Sequence, residues 1–204
     1  MFLKPFCRTL FVTTAMVLAA GQAAAFGITD ILTAPITLIE HAVEARTVGD
    51  IATDKKIGAK IAGLMVKYTS LGAASEVYEQ RVLLTGIFDD MEVYAGFKKE
   101  VAQIADIKKT YWHVIYMSEA DQKKNDAKLI DWDDALIRTK KIGAKLLGAK
   151  GIASTNFHAV TDAYGTVYLI GRAMTKEEMN KVLAVARDTE GVKKITNYME
   201  VRPE

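Results

Sequence analysis

The chain contains one sequence pattern twice, with its two copies 85 positions apart. The matched segments are residues 56–60 with 141–145 (both KIGAK), residues 82–86 with 167–171 (VLLTG and VYLIG), and residues 107–109 with 192–194 (IKK and VKK). Because the three pairs share one offset, the similarity runs through a whole structural unit and is not an isolated motif. The sequence therefore predicts two similar small domains in tandem.

The first 25 residues have the features of a secretory signal peptide. Lys4 and Arg8 form a short basic region, residues 10–20 are almost entirely apolar, and three alanines ending at Ala25 suit cleavage. The apolar run is too short for a membrane span. The only cysteine, Cys7, precedes that run, whereas a lipoprotein requires its cysteine just after it. We therefore expect a periplasmic protein that is not a lipoprotein, and whose mature chain has no thiol for a disulfide or a metal.

The net charge of the chain limits the classes of partner that it is expected to bind. The whole chain has 27 basic and 25 acidic residues, and loss of residues 1–25 leaves 25 of each. A nearly neutral protein is not expected to bind nucleic acid, which usually selects a strongly basic domain. The charge is unevenly distributed: residues 133–204 hold 12 basic and 9 acidic residues, whereas residues 50–117 hold 9 of each.

Residues 26–49 precede the repeats and have a helical apolar period that Pro35 interrupts. One interpretation is a helix that packs on the first domain. The other is an interfacial membrane anchor, although the acidic residues Asp30, Glu40 and Glu44 are atypical of the polar side of such a helix. The sequence leaves both interpretations open.

Each repeat has the element order α-β-β-α-β. In residues 50–117, Asp54 is a candidate helix cap, and Gln80 and Arg81 are placed in a tight hairpin turn. Residues 118–132 are polar and are predicted to be a linker. The predicted fold class is α+β, with two tandem domains that each place two helices on one face of a three-stranded sheet.

In residues 133–204, the apolar stripe of the first helix is assigned to four side chains. These are Ile137, Ile142, Leu146 and Leu147. Gly165 is expected to adopt a positive φ in the hairpin turn. Thr175 and Glu178 are expected to form a capping box at the start of the second helix.

These segments resemble the BON domain, the bacterial OsmY and nodulation module. The family pattern V-x-L-x-G matches residues 167–171 and, in the first repeat, residues 82–86; the pattern G-V-x-x-V-x-N matches residues 191–197. The first repeat departs from the second pattern at residues 105–107 and lacks its asparagine. The resemblance covers roughly residues 50–201, and residues 45–49 are similar to the approach to the first domain in a dual-BON member.

The resemblance implies a non-enzymatic periplasmic protein of envelope integrity or stress that contacts phospholipid surfaces or envelope proteins. In dual-domain members the second domain contacts the lipid. No catalytic constellation stands out, because His41, His113 and His158 are far apart and have no metal-ligand spacing. We therefore expect neither an enzyme nor a cofactor or metal. The oligomeric state does not follow from the sequence.

The best candidate site is the first helix of the second repeat. The candidate lipid-binding residues are Trp132, Arg138, Lys140, Lys141, Lys145 and Lys150. Lys141 and Lys145 are one helical turn apart and share a face that suits anionic headgroups. An indole at Trp132 suits the headgroup level of a membrane. The alternative is an ordinary solvated basic face, because Lys56 and Lys60 occupy the matching positions of the first repeat.

Two functions follow. The first is peripheral binding of anionic phospholipid through the second domain of a periplasmic protein. The second is a soluble periplasmic chaperone or protein-interaction module.

Overall fold

The structure is a computed structural model that describes residues 44–68 and 72–203. The first repeat consists of α1 (Val48–Lys67), β1 (Ala73–Tyr78), β2 (Arg81–Phe88), α2 (Met91–Val101) and β3 (Lys109–Tyr116). A short helix, α3 (Glu119–Lys124), and a 3-10 turn (Asp126–Lys128) follow it. The second repeat consists of α4 (Trp132–Gly148), a 3-10 turn (Ser154–Asn156), β4 (Phe157–Thr161), β5 (Thr166–Ala173), α5 (Lys176–Arg187) and β6 (Lys194–Val201).

The predicted α-β-β-α-β order is confirmed in both repeats. The predicted signal peptide lies outside the described residues, as does all but the last part of the N-terminal segment. The first helix begins at Val48, two residues before the predicted start of its domain. The segment predicted as a linker holds α3, and α4 begins within it at Trp132.

Each repeat builds a three-stranded sheet, in the order β1-β2-β3 or β4-β5-β6. The hairpin strands are antiparallel, and the last strand lies parallel to the middle one. A parallel neighbour requires a crossover connection, which α2 supplies in the first repeat and α5 in the second. The result is an α+β fold with the helices on one face of each sheet.

Each sheet has its own core beneath its two helices. In the first repeat, Val82 and Leu84 of β2 pack with Ile57 and Ile61 of α1 and with Phe97 of α2. The second repeat contains the equivalent core. Its members include Val167 and Leu169 of β5, Ile142 and Leu146 of α4, and Val182 of α5.

A third core lies between the two sheets, on the faces that point away from the helices. It consists of Tyr78, Leu83, Val160, Tyr168 and Ile170, all at most 7% exposed. Leu83 alternates with Val82 and Leu84 along β2, so this strand buries side chains on both faces. The layers therefore run helix, sheet, sheet, helix, and the two helix layers lie on opposite outer faces. We call the surface between the two sheets the seam.

Aromatic rings extend the seam towards β3 and β6. The rings of Tyr111 and Tyr198 stack with their centroids 3.9 Å apart, and His113 lies 4.1 Å from the ring of Tyr168. The Nε2 atom of His113 is 2.9 Å from the hydroxyl of Tyr198. On the other side of the seam, His158 Nδ1 lies 3.1 Å from the carboxylate of Glu76. Both histidines of the described chain thus contact side chains of the other repeat.

A buried arginine joins the two sheets. Arg81 is 5% exposed, and its guanidinium donates to the backbone carbonyls of Tyr198 and Gly171 at 2.9 and 3.0 Å. Glu79 of the first repeat accepts two hydrogen bonds from Arg172 of the second, at 2.5 and 2.6 Å. Another register of the two sheets would remove these charge-assisted hydrogen bonds between the repeats.

The expected position of the first hairpin turn, at Gln80 and Arg81, is wrong. The turn residues are Glu79 and Gln80, with φ of 53° and 62°, and Arg81 already pairs with Tyr78 in the ladder. A two-residue turn with positive φ at both positions matches the twist of the hairpin strands. The strand β2 begins at Arg81, one residue earlier than expected, so the turn moves back by one residue.

Asp54 does not cap α1. Thr47 is the N-cap of α1, and Asp54 lies inside the helix at 4% exposure. Its carboxylate accepts from the backbone N–H groups of Glu79 and Gln80 at 2.8 and 2.7 Å, which holds the hairpin turn against the helix. The equivalent residue of the second repeat, Thr139, accepts from the N–H of Thr161 at 3.0 Å.

The capping prediction for α5 is half correct. Thr175 accepts from the N–H of Glu178, as expected. The Glu178 carboxylate, however, accepts from the backbone N–H groups of Met174 and Ala153, not from that of Thr175. It therefore ties α5 to the loop after α4. The expected positive φ at Gly165 is confirmed, at 77°.

One glycine in each repeat is required by close approach of the neighbouring strand. Gly86 and Gly171 end the V-x-L-x-G pattern at φ of 151° and 152°. A Cβ on Gly171 would lie 2.0 Å from the backbone oxygen of Asn156. The backbone at Asn156 cannot move aside as the end of a flexible side chain can, so position 171 excludes any residue larger than glycine.

We predict that Gly171→Ala lowers the free energy of unfolding by about 3 kcal/mol, through strain and overpacking against the preceding turn. Gly143→Ala is the matched control, because a Cβ there meets nothing within 4 Å and lies inside α4. It should stabilise by about 0.5–1 kcal/mol through helix propensity. Urea unfolding measures both. Equal effects of the two substitutions would contradict the packing described.

We expect the stability of the seam to fall with pH because of His113. Burial lowers the pKa of His113 below its ordinary value, and the nearby carboxylate of Asp162 only partly opposes this. The folded state then binds fewer protons than the unfolded state, whose histidine pKa is about 6.5. Its contribution to stability is therefore present above pH 6.5 and lost as the pH falls towards the lower folded-state pKa.

We predict that His113→Phe, which keeps a ring against Tyr168, loses less stability than the natural protein between pH 7.5 and 5.5. Urea unfolding at the two pH values measures the difference, and carboxylates titrate alike in both proteins. An identical loss in the two proteins would show that His113 is not held neutral in the seam.

Candidate functional site

The helix α4 carries the predicted site residues. It starts after Asp131, with Asp133 and Asp134 in its first turn and Lys145 in its last, an arrangement that favours the helix dipole at both ends. Ala135, Ile142 and Leu146 form its inner face and are at most 2% exposed. These three side chains set the rotation of the helix on the sheet.

The opposite side of α4 is both apolar and basic. Ile137 and Leu147, which we expected to point inward, are 50% and 78% exposed, and Leu136 is 38% exposed. They lie together with exposed Lys140 and Lys141. The inward assignment of Ile137 and Leu147 is therefore wrong, because the stripe that runs through Ala135, Ile142 and Leu146 leaves them on the far side of the helix. We call this surface the outer face of α4; it consists of Leu136, Ile137, Lys140, Lys141, Ala144 and Leu147.

The lysines predicted to bind lipid differ in whether their ammonium groups have a hydrogen-bond or ion-pair partner. Lys140 and Lys150 are exposed and have no hydrogen-bond or ion-pair partner within residues 44–68 and 72–203. Lys141 Nζ lies 3.2 Å from the carboxylate of Glu190. Lys145 Nζ donates to the carbonyl of Asp188 at 2.8 Å. Of the two lysines on the outer face, Lys140 is thus the one without a partner among the described residues. Lys145 points towards the end of α5.

Arg138 is half-buried and lies between two turns. A Cβ placed on Gly165 or Gly191 would approach its guanidinium nitrogens to 2.8 or 2.7 Å. Its Nη1 atom is buried and has no hydrogen-bond partner among the described residues. This arginine packs against the backbone of the second repeat and is not presented to solvent as the lysines are. Trp132 is half-buried at the first position of α4.

Sequence reasoning missed the apolar part of the outer face. The signal was present, because residues 137 and 147 fall outside the i, i+4, i+7 stripe that the smaller Ala135 begins. A single alanine is a weak marker of a core position, so the sequence alone favours the larger Ile137 and Leu147 as core residues.

Other kinds of site find no support in the described residues. Within residues 44–68 and 72–203, no cluster of three or more histidine, cysteine, aspartate or glutamate side chains is arranged to hold a metal ion. In the same part of the chain, no helix has both the length and the apolar character that a membrane crossing requires.

The model of the BON domain family matches residues 133–203. An uncharacterized protein in the gshII 5′ region of Anaplasma centrale is 28% identical over 126 residues, which are 62% of this chain and 79% of that protein.

The solved structures that are similar include two of CdsD, a structural protein of the type III secretion system of Chlamydia trachomatis. The first is 10% identical and covers 73% of this chain and 93% of its own, with a TM-score of 0.30. The second, the C-terminal domain, is 10% identical and covers 70% and 96%, also with a TM-score of 0.30.

The matched segment coincides with the second repeat, from the first turn of α4 to the end of β6. The first repeat has the same order of helices and strands, and Gly86 of its middle strand occupies the position of Gly171. Residues 133–203, the second repeat, are a BON domain.

Proposed function

We propose that this protein binds anionic phospholipid surfaces peripherally, through the outer face of α4. The observation that carries the proposal is that one exposed helix face holds exposed cations, of which Lys140 has no partner among the described residues, beside large apolar side chains. Ile137 and Leu147 are 50% and 78% exposed. Cations near an anionic headgroup layer and apolar side chains at its boundary are the two contributions that hold a helix at a membrane surface.

The family supports the proposal in a coarser form. BON domains are associated with phospholipid-binding and stress proteins and are generally not enzymes. The matched domain is the one that carries this face. On this proposal the protein acts in the periplasm, peripherally on a membrane, in maintaining the envelope and without catalytic activity.

We predict that Lys140→Gln/Lys141→Gln weakens binding to vesicles rich in phosphatidylglycerol by about 10- to 30-fold, since each cation near the surface contributes about 1 kcal/mol. Vesicle co-sedimentation at low and high salt measures the affinity. Lys123→Gln/Lys124→Gln in α3 removes the same charge from exposed positions and should change the affinity less than twofold. Binding that ignores lipid charge, or equal losses in the two variants, would contradict the proposal.

The apolar part of the face makes a separate prediction. Ile137→Ser/Leu147→Ser should weaken vesicle binding at high salt more than the lysine variant does, because screening removes the charge contribution and leaves apolar burial. Both side chains are already exposed, so the folded state should keep its stability within about 0.5 kcal/mol. Unchanged binding at high salt would exclude insertion of these side chains.

A second function uses the same observation. Three exposed apolar side chains on one helix also suit a protein partner, as in a periplasmic chaperone or interaction module. Suppression of client aggregation by the natural protein, lost in Ile137→Ser/Leu147→Ser and accompanied by no vesicle binding, would favour this alternative over lipid.

A further inference from the structure

A groove lies between α1 and α2 on the outer side of the first repeat. Its volume is about 390 Å³, which is within the range of small-ligand sites. Leu64 and Ile104 form an apolar floor, and both are half-buried against the core beneath it. The remaining lining residues are Lys60, Gly63, Glu100 and Gln103. An apolar floor with a few polar groups on the rim is the usual composition of a binding groove.

Gly63 keeps this groove open. It lies in the interior of α1, where glycine costs about 0.5–1 kcal/mol relative to alanine. A Cβ at this position would meet nothing within 4 Å, so no close approach in the described part of the chain requires a glycine there. A large side chain at position 63 would instead fill the groove.

The two ends of the groove differ in charge. Lys60 is exposed, and its ammonium has no hydrogen-bond or ion-pair partner within residues 44–68 and 72–203. At the other end, the carboxylate of Glu100 accepts from Lys67 and from the hydroxyl of Tyr68, the latter at 2.6 Å. The bond from Lys67 is the main reason why the pKa of Glu100 lies below its ordinary value. Glu100 is therefore ionised and already paired, and the unpaired charge on the rim is the positive charge of Lys60.

The equivalent groove of the second repeat is bridged by its own lysine. Lys145, which corresponds to Lys60, donates to the carbonyl of Asp188 at 2.8 Å and so spans from α4 to the end of α5. Thr189 stands where the first repeat has Ile104, so the floor there is also less apolar. Between the two described grooves, a free lysine beside an apolar floor is thus a feature of the first repeat.

The chemistry of the groove selects its ligand. A carboxylate complements the ammonium of Lys60, and a large apolar side chain complements Leu64 and Ile104. Both groups occur together in the C-terminal residue of a polypeptide. The side-chain amide of Gln103 is exposed and has no partner among the described residues, so it can bond the adjoining peptide group.

The length of the groove favours a peptide over a lipid chain. Lys60 and Lys67 are seven positions apart on α1, which corresponds to about 10 Å along the helix axis. About three extended residues have this length. An extended acyl chain spans roughly 15 Å, half of the hydrocarbon core of a bilayer, and would extend beyond both ends of the groove.

We infer that the groove between α1 and α2 binds the C-terminal residue of a polypeptide. The terminal carboxylate lies against Lys60, and an apolar last side chain lies over Leu64 and Ile104. The inference goes beyond the function proposed for α4 and is independent of it, because it uses the other repeat and no lipid.

The test is an NMR titration of the full chain with a short peptide of glycine and serine that ends in leucine, and with the same peptide carrying a C-terminal amide. We expect the free acid to shift the amide signals of α1 and α2 and to bind about tenfold more tightly than the amide, as loss of one charge-assisted contact predicts. Lys60→Gln should weaken binding of the acid by about the same factor. Gly63→Leu should also weaken it by about tenfold or more, while the melting temperature stays unchanged or rises, because leucine is a better helix former than glycine.

The matched controls lie on the opposite side of α1, at exposed positions. Lys55→Gln removes the same charge as Lys60→Gln, and Ala62→Leu adds the same side chain as Gly63→Leu. Both controls should bind the acid peptide within about twofold of the natural protein. Equal binding of acid and amide, or full binding by Gly63→Leu, would overturn the inference. Absence of binding at about 1 mM peptide would also overturn it.

Other occupants of the groove would give different results. Binding of laurate without binding of the peptide would replace the polypeptide with a fatty acid. Self-association that Gly63→Leu abolishes, with no peptide binding, would assign the groove to a second copy of this chain. Either result would overturn the inference and would leave vesicle binding through α4 unaffected.

Discussion

The architecture depends on the burial of both faces of the middle strands. β2 and β5 each bury one set of side chains under helices and the alternate set against the other sheet. Neither sheet can expose its second face without placing Leu83, Tyr78, Tyr168 and Ile170 in water, at a cost of about 1.5–3 kcal/mol for each large apolar side chain. The two repeats are thus joined by a core of their own, in addition to the short chain segment between them.

Much of this follows from the sequence. The 85-residue offset and the period of the apolar residues predict two copies of one α-β-β-α-β unit, and both copies have that order of elements. The seam was not predicted. A near-continuous apolar run such as that of β2 predicts a strand that is buried on both faces. It does not show whether helices and a turn or a second copy of the same unit cover the second face. The exposed Ile137 and Leu147 were misassigned for a related reason, because the rotation of α4 depends on small Ala135.

The repeats share a scaffold but differ where they meet. At equivalent positions of the two repeats, Arg81 corresponds to Thr166, Asp54 to Thr139, and His113 to Tyr198. Arg81 reaches across to carbonyls of the second sheet, and Asp54 holds the hairpin from which Arg81 extends. A pair of identical domains could not make these one-sided contacts. The outer helices, by contrast, keep their lysines in both copies.

The central claim is that the seam fixes α1 and α4 on opposite faces. Ala59 and Ala144 are exposed, occupy equivalent positions in the two KIGAK segments and accept spin labels without disturbing a core. With Cys7 replaced by serine, pulsed electron resonance between labels at Ala59→Cys and Ala144→Cys measures their separation directly. We predict one narrow distribution centred near roughly 40 Å, the thickness of four stacked layers. A broad distribution, or a main distance about half as long, would show that the sheets do not pack against each other and would contradict the account.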